Sequence, residues 1–286
     1  MISIKKNVPW QLKILLKIIF SRLPLPYNVW RNISIFRHGS MQDAAYAYRV
    51  FKKHFNESKL AKDFTTLELG PGDSLFAAAI NYSLGGKKSY LVDTGYYASR
   101  SVEFYRNFNI FLESEKLPTK DLSACSNLED ILKSYEAFYL TRGLDSLRKI
   151  PSNSVDFIFS QAVLEHIKKR EFTDVIKELR RIVKDTGYCS HTVDLKDHLG
   201  DALNNLRFTE KIWESNFMSS SGFYTNRIRY SEMIDIFKEA GFEISHIYTS
   251  QWEQLPTPRS KLAFPFKNMD EKELSISGFS IVLSPV

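Results

Sequence analysis

The sequence has only two cysteines, Cys125 and Cys189, far apart and without metal-ligand spacing. That excludes a thiolate zinc module and a disulfide scaffold, and it predicts reduced thiols in a cytoplasmic protein. There is no run of 18 uncharged apolar residues, so no transmembrane helix is expected. There is no internal repeat, no low-complexity tract and no sign of a second domain boundary. Acidic residues are missing before Asp43, whereas residues 1–42 carry Lys5, Lys6, Lys13, Lys17, Arg22, Arg31 and Arg37. That segment holds seven of the 39 bases, which leaves 32 bases against 33 acids in the remainder. The basicity therefore belongs to the N-terminus, and a neutral body argues against a nucleic-acid partner. What remains is ordinary globular material: 286 residues, 43% hydrophobic and 25% charged, enough for one α/β unit with additions.

Residues 65–74 read TTLELGPGDS. Apolar and β-prone residues run into Gly-Pro-Gly, and SLFAAAI follows, so the order is strand, glycine turn, helix. Gly70 and Gly72 permit positive φ and let a ligand lie against the backbone. Both dinucleotides and S-adenosylmethionine use such turns. A dinucleotide needs a third glycine and a site friendly to phosphate. Here Leu75 takes the third glycine position and Asp73 sits where phosphate would lie, whereas Glu68 and Asp73 suit a ligand carrying a sulfonium and an ammonium. A second strand over Ser89–Asp93 ends in an acid 25 residues after Glu68, the distance of one strand–helix–strand unit, with Asp93 placed for ribose hydroxyls. A third buried-strand run, Val155–Ser160, leads into Gln161-Ala162-Val163-Leu164-Glu165-His166.

ELGPGDS, LVDTG and NSVDFIFSQAVLEHI, in this order and spacing, resemble the class I S-adenosylmethionine-dependent methyltransferases over about residues 60–250. Many members carry a further glycine near the positions of Asp73 and Ser74, which this chain lacks. The resemblance implies a doubly wound, mostly parallel α/β sheet of seven strands, Rossmann-like, with an antiparallel final strand. It implies a helical extension over residues 1–58, a catalytic domain over 59–286 and an acceptor-side insertion over 200–229. S-adenosyl-L-methionine would be held by Glu68, Gly70, Pro71, Gly72, Asp73, Ser74, Asp93 and Thr94, with Ser160 and Gln161 at its methionine end.

Further elements are expected from pattern. Helices are predicted over Asp43–Phe55, 73–84, 97–112 and 126–135, and from Arg170 to Lys184 with Asp185-Thr186-Gly187 as the stop. Another is predicted from a Ser231 cap to Ala240. Strands are predicted over Ala137–Leu140, Gly187–Val193, Phe242–Thr249 and Leu274–Leu283, and 250–273 reads as a polar loop.

Chemistry in open α/β sheets sits beyond the carboxyl ends of strands, where His191, Asp194, Asp197 and His198 would gather. Three readings stand: His198 as a general base oriented by Asp194 or Asp197, a divalent metal holding two sugar hydroxyls, or an ordinary polar loop. The catalytic candidates are His198, Asp194 and His191, with no metal in the preferred reading. Glu165-His166, a common pairing in the family, reads first as helix packing. His38 and His54 read as surface or packing residues. The aromatics and arginines of Phe223–Tyr230 suit a carbohydrate or anionic acceptor, and equally a lid packed on the core.

RLPLPYNVWR, ELGPGDSLF, HTVDLKDHL and YTNRIRYSEM resemble methyltransferases of bacterial surface-glycan clusters. This implies O-methylation of a sugar in a glycan or its lipid-linked precursor. The rival acceptor is a small molecule or quinone-like lipid. A non-catalytic protein of the same fold is the rival from another class, and an NAD-linked oxidoreductase the most distant. Trp10–Phe20 has the pattern of a basic amphipathic helix. Residues 10–22 would either touch the inner face of an anionic membrane or pack on protein.

Overall fold

The computed structural model describes residues 40–55 and 60–286. The basic helix expected at Trp10–Phe20 and the connector after it lie outside the described residues. Seven strands form one sheet: β1 Thr65–Leu69, β2 Lys88–Val92, β3 Ala137–Leu140, β4 Val155–Gln161, β5 Val183–Asp194, β6 Phe242–Gln251 and β7 Ile276–Pro285. Their order is β3-β2-β1-β4-β5-β7-β6. The first five pair in parallel, and β7 is antiparallel to both neighbours. The order reverses direction at β1–β4, the switch point where such sheets open a crevice for a ligand.

Helices cover both faces. On one lie α1 Ala44–Phe55, α2 Phe76–Ser83, α3 Val102–Ser114 and α4 Leu128–Ser134, sharing a core with Phe157 and Phe159 of β4. On the other lie α5 Leu144–Leu147, α6 Lys169–Ile182 and α9 Tyr230–Glu239, packed on Ile158, Cys189 and Ile281. Two short helices, α7 Glu210–Trp213 and α8 Asn216–Ser219, belong to the segment after β5, and α10 Glu271–Ser275 precedes β7. The strict alternation along β4 explains the two layers. Phe157 and Phe159 meet Phe51 of α1 at ring distances of 6.0 and 5.2 Å, whereas Ile158 and Ser160 face the opposite layer.

Several boundaries differ from expectation, each for a local reason. The helix after the glycine turn starts at Phe76 instead of residue 73, because Asp73 and Ser74 are drawn into loop contacts: Ser99 N–H donates to the Asp73 carbonyl and Ser74 Oγ donates to the Met41 carbonyl. Helix α6 stops at Ile182, and Asp185-Thr186-Gly187 lies within β5. A register shift opposite Val155–Phe157 takes up the extra residues, and a Cβ at Gly187 would stand 2.7 Å from the Asp156 carbonyl oxygen. Glycine there permits close backbone approach inside a strand and does not stop a helix. Ser231 does not cap α9. Arg229 holds the cap position, while the Ser231 N–H and hydroxyl donate to Glu273. The expected loop 250–273 includes the end of β6, two 3-10 turns and part of α10, so the last strand begins at Ile276.

Candidate active site

The glycine turn is built from β1 and braced by β2. Gly70 N–H donates to the Val92 carbonyl at 2.8 Å, which continues the strand pairing one residue past β1. The chain then turns with φ of 71° at Gly70 and 65° at Gly72. A Cβ at Gly70 would stand 2.5 Å from Val163 Cγ2, so the loop after β4 lies directly on this glycine. At Gly72 a Cβ would meet no described atom within 4 Å, so the turn presents bare backbone to open space. Asp93, at the tip of β2, accepts the Gly72 N–H at 3.1 Å through one oxygen and the Thr94 N–H at 2.7 Å through the other.

Glu68 completes the cradle from below. It is 3% exposed, and its Oε2 has no hydrogen-bond partner. Burial, and then the charge of Asp93, push its pKa up to about 8. A buried, unsatisfied carboxyl beside a second carboxylate is costly unless a cation joins them. The residues therefore fit S-adenosylmethionine, whose ammonium and sulfonium would compensate that charge, and they would repel a pyrophosphate.

The raised pKa has a measurable consequence. From about pH 5 to 8 folded Glu68 keeps a proton that the unfolded chain, near 4.5, has lost, so ligand-free stability falls as pH rises through that window. Glu68→Gln is expected to flatten part of this slope and stabilise the ligand-free protein at pH 8 by about 3 kcal/mol. The same change should weaken cofactor binding. Urea denaturation at pH 5.5 and 8 measures the first effect, and an unchanged slope would contradict the burial argument.

Ser160 and Gln161 part company despite adjacency. Ser160 is fully buried and hydrogen-bonds His191 Nδ1 at 2.8 Å within the layer of α6 and α9. Gln161 faces the opposite layer, where His54 Nε2 donates to its Oε1 at 3.2 Å. That bond sets the tautomer: His54 Nδ1 then accepts from the Ser190 hydroxyl at 2.8 Å. Burial lowers the His54 pKa to about 4, so this imidazole is neutral. Beside it Lys53 Nζ reaches the hydroxyls of Thr192 and Ser280 at 3.0 and 3.2 Å. This polar wall of α1, β4, β5 and β7 is what the sequence reading missed. Its members lie 107 to 227 residues apart, so no local signal links them.

The four acceptor-side candidates do not form one constellation. His191 is 1% exposed, stacks on Phe237 and faces the core, with its pKa lowered to about 3 by burial. Asp197, also 1% exposed, accepts the N–H groups of Leu199, Gly200 and Asn204, which makes it the clamp of its own loop and not a partner orienting His198. Asp194 accepts the Lys196 N–H and pairs with its ammonium at 3.5 Å. His198 instead meets His166, edge to face, with ring centroids 4.7 Å apart.

The segment 200–229 forms its own small core of Trp213, Met218, Phe223 and Tyr224 with Leu199. Its arginines point inward. Arg227 pairs with Glu210 and donates to the carbonyls of Asn205 and Phe208, and Arg229 donates to four carbonyls. Both are committed to internal structure, so of the two readings of Phe223–Tyr230 the packed one holds for the arginines. Asn226 stitches this segment to the turn after β4: its N–H donates to the Glu165 carbonyl and its side chain to those of Leu164 and Ile167.

Known proteins bear on this arrangement. Residues 42–247 match the family model of the methyltransferase domain. No curated protein matches the sequence. Among solved structures, an S-adenosylmethionine-dependent methyltransferase of Methanosarcina mazei is similar at 17% identity, with 83% of this chain and 97% of that one covered and a TM-score of 0.48. A geranyl diphosphate C-methyltransferase of Streptomyces coelicolor is similar at 11% identity, over 85% and 79% of the two chains, with a TM-score of 0.45. A phosphoethanolamine N-methyltransferase of Haemonchus contortus is similar at 13% identity, over 83% and 52%, with a TM-score of 0.44. The match over 42–247 spans every residue of the glycine turn, of Asp93 and of the turn after β4, and it shows that the chain belongs to the methyltransferase-domain family, as a class I S-adenosylmethionine-dependent methyltransferase.

Proposed function

We propose that the protein methylates a hydroxyl of a sugar, in a surface glycan or its lipid-linked precursor. The observation that carries this reading is the polar wall beside the switch point: Gln161, His54 and Ser190, with Lys53, Thr192 and Ser280. Paired donors and acceptors suit a polyhydroxylated acceptor. A quinone-like acceptor would need an apolar wall there. The motifs shared with glycan-cluster methyltransferases favour the same acceptor class.

In this reading Glu68, the backbone of Gly70-Pro71-Gly72, Asp73, Ser74, Asp93 and Thr94 hold the cofactor, and Gln161 lies at its reactive end. S-adenosylmethionine supplies a sulfonium methyl whose bonding electrons stay on sulfur when it leaves. The chain contributes alignment in a water-poor crevice. His198 and Asp194 stand on the acceptor side. Residues 10–22 would bring the site to an anionic lipid surface; among the described residues no helix is long and apolar enough to cross a membrane.

The test is transfer of labelled methyl to lipid-linked and nucleotide-linked saccharides, alongside demethylated quinones. Label in the saccharide fraction supports the reading, and label in the quinone fraction alone overturns it. His198→Ala is expected to slow transfer at least about tenfold with unchanged S-adenosylhomocysteine binding. Wild-type rates would remove His198 from the acceptor side. A well-folded chain that binds no S-adenosylhomocysteine would favour the non-catalytic rival.

A further inference from the structure

The turn after β4 carries an arrangement that methyl transfer to a sugar does not require. Ala162, with φ of 54°, reverses the chain, so that Val163 lies on Gly70 and Glu165 points into the protein. Glu165 is 1% exposed, and neither of its carboxylate oxygens has a hydrogen-bond partner. The N–H groups of Glu165 and Asp194 only lie nearby. A fully buried carboxyl without partners is among the costliest groups a fold can keep.

Two imidazoles stand beside it. Ligand atoms of Glu165, His166 and His198 all lie within 4.8 Å of one another. The orientation of His166 is informative. Its Nδ1 is 3.0 Å from the Tyr224 carbonyl oxygen, which can only accept, so Nδ1 carries the proton and Nε2 keeps its lone pair. An imidazole whose second nitrogen donates to a backbone carbonyl is the usual outer shell of a metal-bound histidine. The carbonyl is itself held: the Tyr224 hydroxyl donates to Glu214 at 2.7 Å and accepts the Lys169 N–H at 3.2 Å. His198 enters from the loop that Asp197 clamps. The insertion thus supplies both the third side chain and the second shell.

We propose that Glu165, His166 and His198 bind a divalent transition-metal ion of the zinc class. Two neutral nitrogens and one carboxylate are the donor set of open zinc sites, and they suit Mg2+ or Ca2+ poorly, since those ions prefer oxygen. Tetrahedral donors at about 2.0–2.1 Å from an ion stand about 3.3 Å apart, so the outermost pair draws in by up to about 1.5 Å. His198, half-buried on a loop, is free to make that movement by rotation. The ion would neutralise the buried carboxylate and leave a position open, since His166 is exposed. Resting on the methyl-transfer reading above, that open position takes an oxygen of the acceptor and lowers the pKa of its hydroxyl. The role of His198 is then that of a ligand.

The experiment uses the full chain without a histidine tag, stripped with chelator and titrated calorimetrically with Zn2+ and with Mg2+. Co2+ serves as a spectroscopic probe. One equivalent of Zn2+ is expected to bind, and Glu165→Gln and His198→Ala are each expected to weaken it at least about tenfold. Both variants should keep wild-type binding of S-adenosylhomocysteine, which shows that they are folded. Three results would overturn the site: no saturable Zn2+ binding by a chain that binds S-adenosylhomocysteine, wild-type Zn2+ affinity in both variants, or preference for Mg2+. Zn2+ binding by a chain that does not bind S-adenosylhomocysteine would keep the metal site and remove its assigned role.

Discussion

Asp93→Ala is expected to weaken S-adenosylhomocysteine binding by about 100-fold or more. The carboxylate does two things at once. It accepts the Gly72 N–H at 3.1 Å and the Thr94 N–H at 2.7 Å, so it sets the shape of the glycine turn. In the proposed complex its oxygens also take the ribose hydroxyls. Hydrogen bonds to a charged group contribute about 1.5–3 kcal/mol each, and every 1.4 kcal/mol is tenfold in affinity, so two lost bonds reach about 100-fold. Asp93→Asn keeps one acceptor and should fall between the two. Calorimetric titration of wild type and both variants at one pH reads the series directly. An unchanged dissociation constant in Asp93→Ala would place the ribose elsewhere and leave Asp93 as a brace of the turn only.

Arg229→Met should lower the stability of the protein by about 3–5 kcal/mol. Arg229 is 2% exposed, and its guanidinium donates to the carbonyls of Leu195, Glu273, Leu274 and Ile276 at 2.7–3.3 Å. It ties the exit of β5 to α10 and the start of β7. Methionine fills much of the volume but donates nothing, and each buried acceptor left unpaired costs about 1–3 kcal/mol. The lowered pKa of Arg229, about 10, has burial as its main cause and marks how dry the site is. The urea midpoint at constant slope measures the effect. A loss below about 1 kcal/mol would mean that water reaches these carbonyls after the change, and that the segment before β7 is looser than its packing indicates.

These two residues mark the limits of what patterning can reveal. Asp93 was legible because it ends a β-prone run one strand–helix–strand unit after Glu68, and both spacing and chemistry are local properties of the chain. Arg229 was not. Its neighbours Tyr224 and Tyr230 made it look like part of an acceptor surface, but its carbonyl partners lie 34 to 47 residues away. A sequence shows that an arginine exists and not which way it turns.

The same division runs through the molecule. The parallel order of the early strands, the antiparallel final strand, the glycine turn and its acids follow from alternation, turn chemistry and spacing. Those signals act within a few residues, and the sequence by itself determined them. The sequence also placed His191, Asp194, Asp197 and His198 after one strand, but could not assign their directions. Strand alternation turned His191 into the core, the demand of three N–H groups turned Asp197 into a loop clamp, and only His198 was left to meet His166. The polar wall of His54, Gln161 and Ser190, and the buried carboxyl of Glu165, were decided by tertiary structure alone. Burial and the satisfaction of polar groups depend on which distant segments come together, and that information is not held in any single stretch of the chain.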